Sequence, residues 1–188
     1  MHIALDFVKS SRSLKNVRVI TGVALFCALQ VVMASFNVYL TPSLRISFGF
    51  LACAASCYFY GPVPNLIAAV IVDFMGYMVN PVGGYQPWWM INAMFQAFVF
   101  AVFFYDPEGD RPVAIWKILA AELLVVLVNN LLLNPLWLSM LYGDSYWVLA
   151  GARLVKNAIM YPINCALLVL VLRLCQRLKK SLPALRGF

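Results

Sequence analysis

The sequence predicts an all-α membrane protein, a compact bundle of six transmembrane helices with both termini cytoplasmic. Of its 188 residues, 64% are hydrophobic and 11% charged, where a soluble domain carries roughly half and a quarter. Mean hydropathy is +0.86. The apolar residues form continuous runs, whereas a membrane β-barrel alternates. Basic residues crowd both ends. Lys9, Arg12, Lys15 and Arg18 precede the first apolar run, and Arg173, Arg177, Lys179, Lys180 and Arg186 follow the last. Positive charge is retained on the cytoplasmic side, so two basic ends require an even number of spans. The net charge of +7 is then a topology signal and not a nucleic-acid surface.

The elements follow in order. A basic cytoplasmic segment at 1–18 has no cleavage pattern after it, so the first span is expected to be retained. Spans are predicted at roughly 19–37, 46–60, 63–80, 88–105, 114–134 and 148–174, with a basic tail at 175–188. VYLTPSLR at 38–45 reads as a loop. Gly61-Pro62 is a tight turn, and PVGGYQP at 81–87 and DPEGDRP at 106–112 are Gly- and Pro-rich connections. Asn134-Pro135 opens a loop that runs to about Trp147, with room for a short helical turn. The whole chain reads as one integral membrane domain. The five cysteines fall in or beside apolar runs and lack metal-site spacing with the single His2, so they read as buried thiols.

Polar groups inside the spans carry the functional signal, because such residues are costly in hydrocarbon. Arg153 and Lys156 share a face at the start of span six. Asn129, Asn130 and Asn134 lie toward the outer end of span five. Asn92 and Gln96 are one turn apart on span four. Asp73 is on span three with Asn80 at its end, and Arg45 precedes span two. With the N-terminus inside, these residues converge on the outer half of the membrane. Glu122 is placed too far in to join them. Each residue alone has a structural reading: amides bond between helices, Arg153 can snorkel, and Lys156 can bridge to Asp73. As a set they surround an excess of cations with amides and with Tyr85, Trp88 and Trp89, which suits an anionic ligand with a flat ring.

The chain lacks the Gly-x-x-x-x-Gly-Lys-Ser/Thr phosphate loop. One terminal His excludes a Ser-His-Asp set, and paired carboxylates are absent. The chain is therefore not expected to be an enzyme, and no cofactor is implied. Small residues four apart, Ala24 and Ala28, mark a face that another helix could approach closely; Ala52 with Ser56 and Ala97 with Ala101 repeat the spacing.

LRISFGF at 44–50, YGPVPNLIAAVIVDFMGYMVNP at 60–81, GGYQPWW at 83–89 and RLVKNAIMYPIN at 153–164 together resemble the substrate-binding S components of energy-coupling factor (ECF) vitamin transporters. The folate-type members are most similar, over roughly residues 18–175. Trp88 stands where that family has glycine, and LACAA stands where it often has a proline. The resemblance implies a multi-pass plasma-membrane subunit that captures folate or a reduced folate from outside. It implies partners that hydrolyse ATP: one transmembrane coupling protein and two ABC ATPases, met through Ala24 and Ala28. The ligand set it suggests is Arg45, Arg153 and Lys156 on carboxylates, and Asn92, Asn129 and Asn130 on ring edges. Tyr85, Trp88 or Trp89 would close the outer loop, and Asp73 would bond a ring amino group or hold Lys156. Two alternatives stay open: an S component for another vitamin, such as pantothenate or riboflavin, and a proton-coupled secondary transporter using Asp73.

Overall fold

A computed structural model describes residues 10, 16–35, 37–41, 44–79, 81, 84–105, 113–143 and 145–181. Most of the basic segment at 1–18, Asn80, the loop at 106–112, Asp144 and the tail from 182 lie outside the described residues. The described chain forms α1 (Val17–Ser35), the strands β1 (Asn37–Thr41) and β2 (Leu44–Ser47), α2 (Gly49–Tyr60), α3 (Pro62–Val79) and α4 (Trp88–Phe104). Then come α5 (Ile115–Tyr142) and α6 (Tyr146–Ser181). The six predicted helices are present. Four of them, α1, α3, α5 and α6, are each long and apolar enough to cross a membrane.

α2 sits at the centre. It has 12 residues, about 18 Å of rise, and all but Phe50 are buried. Its sequence, GFLACAASCYFY, explains the position. Ala52, Cys53, Ala54, Ala55, Ser56 and Cys57 present almost no side-chain bulk, so α1, α3, α4 and α6 all pack against it. The Ala52/Ser56 and Ala97/Ala101 pairs are buried in this packing, as small residues at helix crossings allow. The large side chains gather at the far end of α2, where Tyr58, Phe59 and Tyr60 make ring contacts with one another and with Phe26, in the same core as the stacked pair Phe100 and Phe104. All five cysteines are free and buried.

The turn after Tyr60 is locked by polar contacts. Asn65 donates to the carbonyls of Ser56 at 3.2 Å and Gly61 at 2.7 Å, and accepts from the Ser56 hydroxyl at 2.6 Å. Ser10 donates to the Tyr60 carbonyl at 3.1 Å and accepts from the Val63 amide at 3.2 Å, tying the N-terminal segment to this turn. Gly61 adopts φ +76°, a region costly for any residue with a Cβ.

Three parts differ from the expectation. The segment at 38–45 is not a plain loop: Asn37–Thr41 and Leu44–Ser47 pair as an antiparallel hairpin, with Arg45 opposite Tyr39. Helix α5 does not stop at Asn134 but continues to Tyr142 through a wide π-helical segment, Val126–Leu133. Pro135 is tolerated there because the Leu131 carbonyl, four residues back, accepts the Tyr146 hydroxyl at 3.1 Å in place of the missing amide. Helix α6 extends seven residues beyond the predicted end of span six, to Ser181. Lys179 is consequently not a solvated tail residue; it is buried with its ammonium 5.3 Å from the centre of the Tyr58 ring.

A Cβ at Gly61 would meet the Tyr105 ring at 2.9 Å, whereas one at Gly76 would meet nothing within 4 Å. Thermal unfolding in detergent should therefore show Gly61→Ala destabilised by about 1–3 kcal/mol, with Gly76→Ala at or above the parent.

Candidate functional site

A cavity of about 380 Å³ opens between α2, α4, α5 and α6. Helical periodicity builds its walls. α4 contributes Trp89, Asn92, Ala93 and Gln96, which follow an i, i+3, i+4, i+7 stripe. α5 contributes Glu122, Val125 and Asn129, at i, i+3 and i+7. The wide turns beyond add Asn130 and Asn134, of which a regular α-helix would carry Asn134 off this face. Phe50 on α2 and Asn164 on α6 complete the lining. π-helical turns recur at functional sites because they re-aim side chains in this way.

The amides form one network. Asn92 Nδ2 donates to Asn134 Oδ1 at 2.7 Å, and Asn134 Nδ2 donates to Asn130 Oδ1 at 3.1 Å. Trp137 Nε1 donates to Asn92 Oδ1 at 3.1 Å, and Asn129 Nδ2 donates to the Asn92 carbonyl at 2.9 Å. Asn92 thus joins α4 to both halves of α5. Deeper in, Asn164 Nδ2 donates to Glu122 Oε1 at 2.9 Å. The Oδ1 atoms of Asn129 and Asn164 are buried without a hydrogen-bond partner. Buried polar atoms are normally paired, so these two oxygens are acceptors to which the described residues offer no donor.

Glu122 corrects the sequence reading. It is buried at 3% exposure and is, among the described residues, the one charged residue lining the cavity. Its position on the inner half of span five suggested that it lay below any outer pocket. The cavity instead follows the α5 stripe down to it, and Asn164 reaches it from α6. Both were detectable by periodicity, Glu122 as Asn129 minus seven and Asn164 as Arg153 plus eleven.

Of the predicted ligand residues, Trp89, Asn92, Asn129 and Asn130 line the cavity. Arg153 and Lys156 lie half-buried on the first turns of α6, outside the lining. Arg45 is on β2, next to the start of α2. Asp73 does not pair with Lys156. It accepts the Tyr85 hydroxyl at 3.1 Å, and the Tyr85 ring rests against Phe74 and Tyr77 at 5.7 and 5.3 Å. Desolvation and the Asp73 carboxylate hold the Tyr85 phenol above its usual pKa, so it remains a donor. This pair pins the α3–α4 loop to α3. Trp88 lies outside the lining and stacks on Trp137, with centroids 6.3 Å apart and planes at 27°. Ala24 and Ala28 are exposed on α1.

The family described as ECF-type riboflavin transporter, S component, matches residues 14–180. A folate transporter FolT of Clostridium novyi (strain NT) is 33% identical over 166 residues, covering 88% of this chain and 94% of its own. A folate transporter FolT of Leuconostoc mesenteroides subsp. mesenteroides is 28% identical over 146 residues, covering 75% and 77%. Among solved structures, FolT bound with folic acid superposes with a TM-score of 0.72 at 28% identity, covering 81% of this chain and 93% of that one. The match over almost the whole helical region, joined to the apolar helices and the cavity among them, places the chain in the S components of ECF-type transporters, multi-pass membrane transport proteins and not enzymes.

Proposed function

We propose that this chain captures folate or a reduced folate from outside the cell as the substrate-binding subunit of an ECF-type ABC importer. The reading is supported by relatives named as folate transporters and, within the molecule, by the distribution of charge along α6. Arg153 and Asn164 are eleven residues apart, three helical turns, so they share a face about 16 Å apart along the axis. Asn164 stands with Glu122 at the acceptor-rich floor of the cavity, while Arg153 and Lys156 stand toward the hairpin end. An extended folate has the same polarity and a similar length: a ring edge rich in N–H donors at one end and glutamate carboxylates at the other.

In this pose the ring enters first and rests between Trp89 and the amides of Asn92, Asn129 and Asn130. Arg153, Lys156 and Arg45 neutralise the carboxylates near the opening, with Arg suited to bidentate pairing. The Asp73–Tyr85 contact sets the position of the loop beside the mouth, and Trp88 braces it through Trp137. The hairpin end then faces outward and both termini face the cytoplasm. Transport would require a transmembrane coupling protein and two ABC ATPases. The exposed Ala24 and Ala28, flanked by the exposed Leu25 and Leu29, form the α1 face offered to the coupling protein.

The purified chain in detergent should bind folic acid saturably; titration with folic acid and riboflavin side by side tests this, and riboflavin binding alone would move the ligand to the other vitamin. Arg153→Ala should weaken folic acid about 10- to 100-fold while leaving the unliganded thermal midpoint near the parent, and undiminished affinity would remove the carboxylate role. Asn92→Leu strands Trp137 Nε1 and Asn134 Oδ1. It should therefore lower the unliganded stability itself, by about 1–3 kcal/mol, as read by thermal unfolding without ligand.

A further inference from the structure

We infer that the start of α1 binds an anionic phospholipid, with the phosphate on Arg18 and one acyl chain in an apolar furrow beside it. The furrow has a volume of about 440 Å³ and is lined by Val17, Arg18, Thr21, Gly22 and Leu25. Helical spacing puts Val17, Thr21 and Leu25 in one row and Arg18 and Gly22 in the next. Gly22 carries no side chain, so the second row is empty beyond Arg18. Thr21 donates its hydroxyl to the Val17 carbonyl at 2.9 Å, which satisfies the one polar side-chain group in the furrow apart from Arg18. α1 packs on α2 and α3, while Val17, Arg18, Thr21 and Leu25 are exposed.

The depth of Arg18 suits a phosphate. Gly22 abuts the ring of Tyr60, the last residue of α2. Arg18 is one turn earlier, about 6 Å beyond that contact along α1, at the edge of the apolar core. Its guanidinium has no hydrogen-bond or ion-pair partner among the described residues. Ser10, held by the Tyr60 carbonyl and the Val63 amide, stands at the same end of the bundle. Residues 9–18 carry four cations, Lys9, Arg12, Lys15 and Arg18, and no anion. A charge at one end of an apolar furrow calls for an amphiphile with an anionic head. A phosphodiester offers the guanidinium two oxygens, and an acyl chain covers the furrow. Phosphatidylcholine would add a quaternary ammonium to a region already rich in cations, whereas phosphatidylglycerol would not. Inorganic phosphate meets the charge but leaves the furrow open. In the orientation proposed above this is the cytoplasmic leaflet; the recognition itself does not depend on the folate reading.

The test is lipid retention by the purified chain in detergent, read by native mass spectrometry during titration with dioleoyl phosphatidylglycerol and dioleoyl phosphatidylcholine. The parent should hold phosphatidylglycerol at least about five-fold tighter, the worth of one basic residue at an anionic surface. Arg18→Gln, an exposed substitution, should cut that preference about five-fold with its unliganded thermal midpoint and folic acid affinity near the parent's. Thr21→Phe fills the furrow from its exposed side and should weaken phosphatidylglycerol by a similar factor. Excess inorganic phosphate should leave the lipid bound. Equal retention of the two lipids by the parent overturns the inference, and so does an R18Q protein that keeps the parental preference. Unchanged lipid binding by T21F, or displacement of the lipid by inorganic phosphate, removes the acyl chain from the furrow and overturns it as well. A chain that binds no folic acid overturns the folate reading and leaves each of these outcomes to be read as before.

Discussion

The fold depends on one packing constraint: α2 must be thin enough to be enclosed on every side. A helix surrounded by four others leaves little room for side chains, and LACAASC provides for this with residues from Ala to Leu. Close approach then fixes the other helices by contact and not by loop geometry. It also explains why so short a helix suffices, since its ends are covered by protein. Beyond this tight core, α4, α5 and α6 diverge around Phe50 at the start of α2. The cavity is the space left where the close packing ends.

The site is held by amides more than by charges. Asn92 is the junction, with its side chain and its carbonyl each engaged by α5. The π segment makes this possible by bringing Asn129, Asn130 and Asn134 to one wall. Its disturbed backbone is stabilised in turn by Tyr146, which supplies the hydrogen bond that Pro135 cannot. Helix continuity, the bulge and the amide wall are thus parts of a single arrangement. Networks of this kind fix geometry when fully satisfied, and here Asn129 Oδ1 and Asn164 Oδ1 are the acceptors left without a partner.

Much of this was legible in the sequence, for identifiable reasons. Six helices follow from long apolar runs, because a helix satisfies its own backbone in a bilayer and the runs do not alternate as those of a barrel do. Asn92, Asn129 and Asn130 were conspicuous as amides within such runs. Glu122 was misplaced because depth was judged from its position along a single helix, whereas a cavity wall follows a stripe through several turns. The hairpin was obscured by Thr41-Pro42-Ser43, although the β-prone runs on either side carried a hairpin signal. Pro135 was read as a stop because the compensating hydroxyl of Tyr146 comes from the next helix. The Asp73–Tyr85 contact joins a helix to a loop twelve residues on, a distance that no periodic pattern reaches.

The two amide oxygens buried without donors have a bearing on how the protein handles its cargo in time. A molecule that donates hydrogen bonds to these oxygens is held by them. Capture is therefore downhill, and the occupied protein is the more stable one. The reverse step has no such drive. Letting go means re-exposing a carboxylate and two carbonyl oxygens, and only water can satisfy them once the cargo leaves. Discharge at useful speed thus requires a movement that admits water to these groups. The groups that make retention firm are the same ones that slow release.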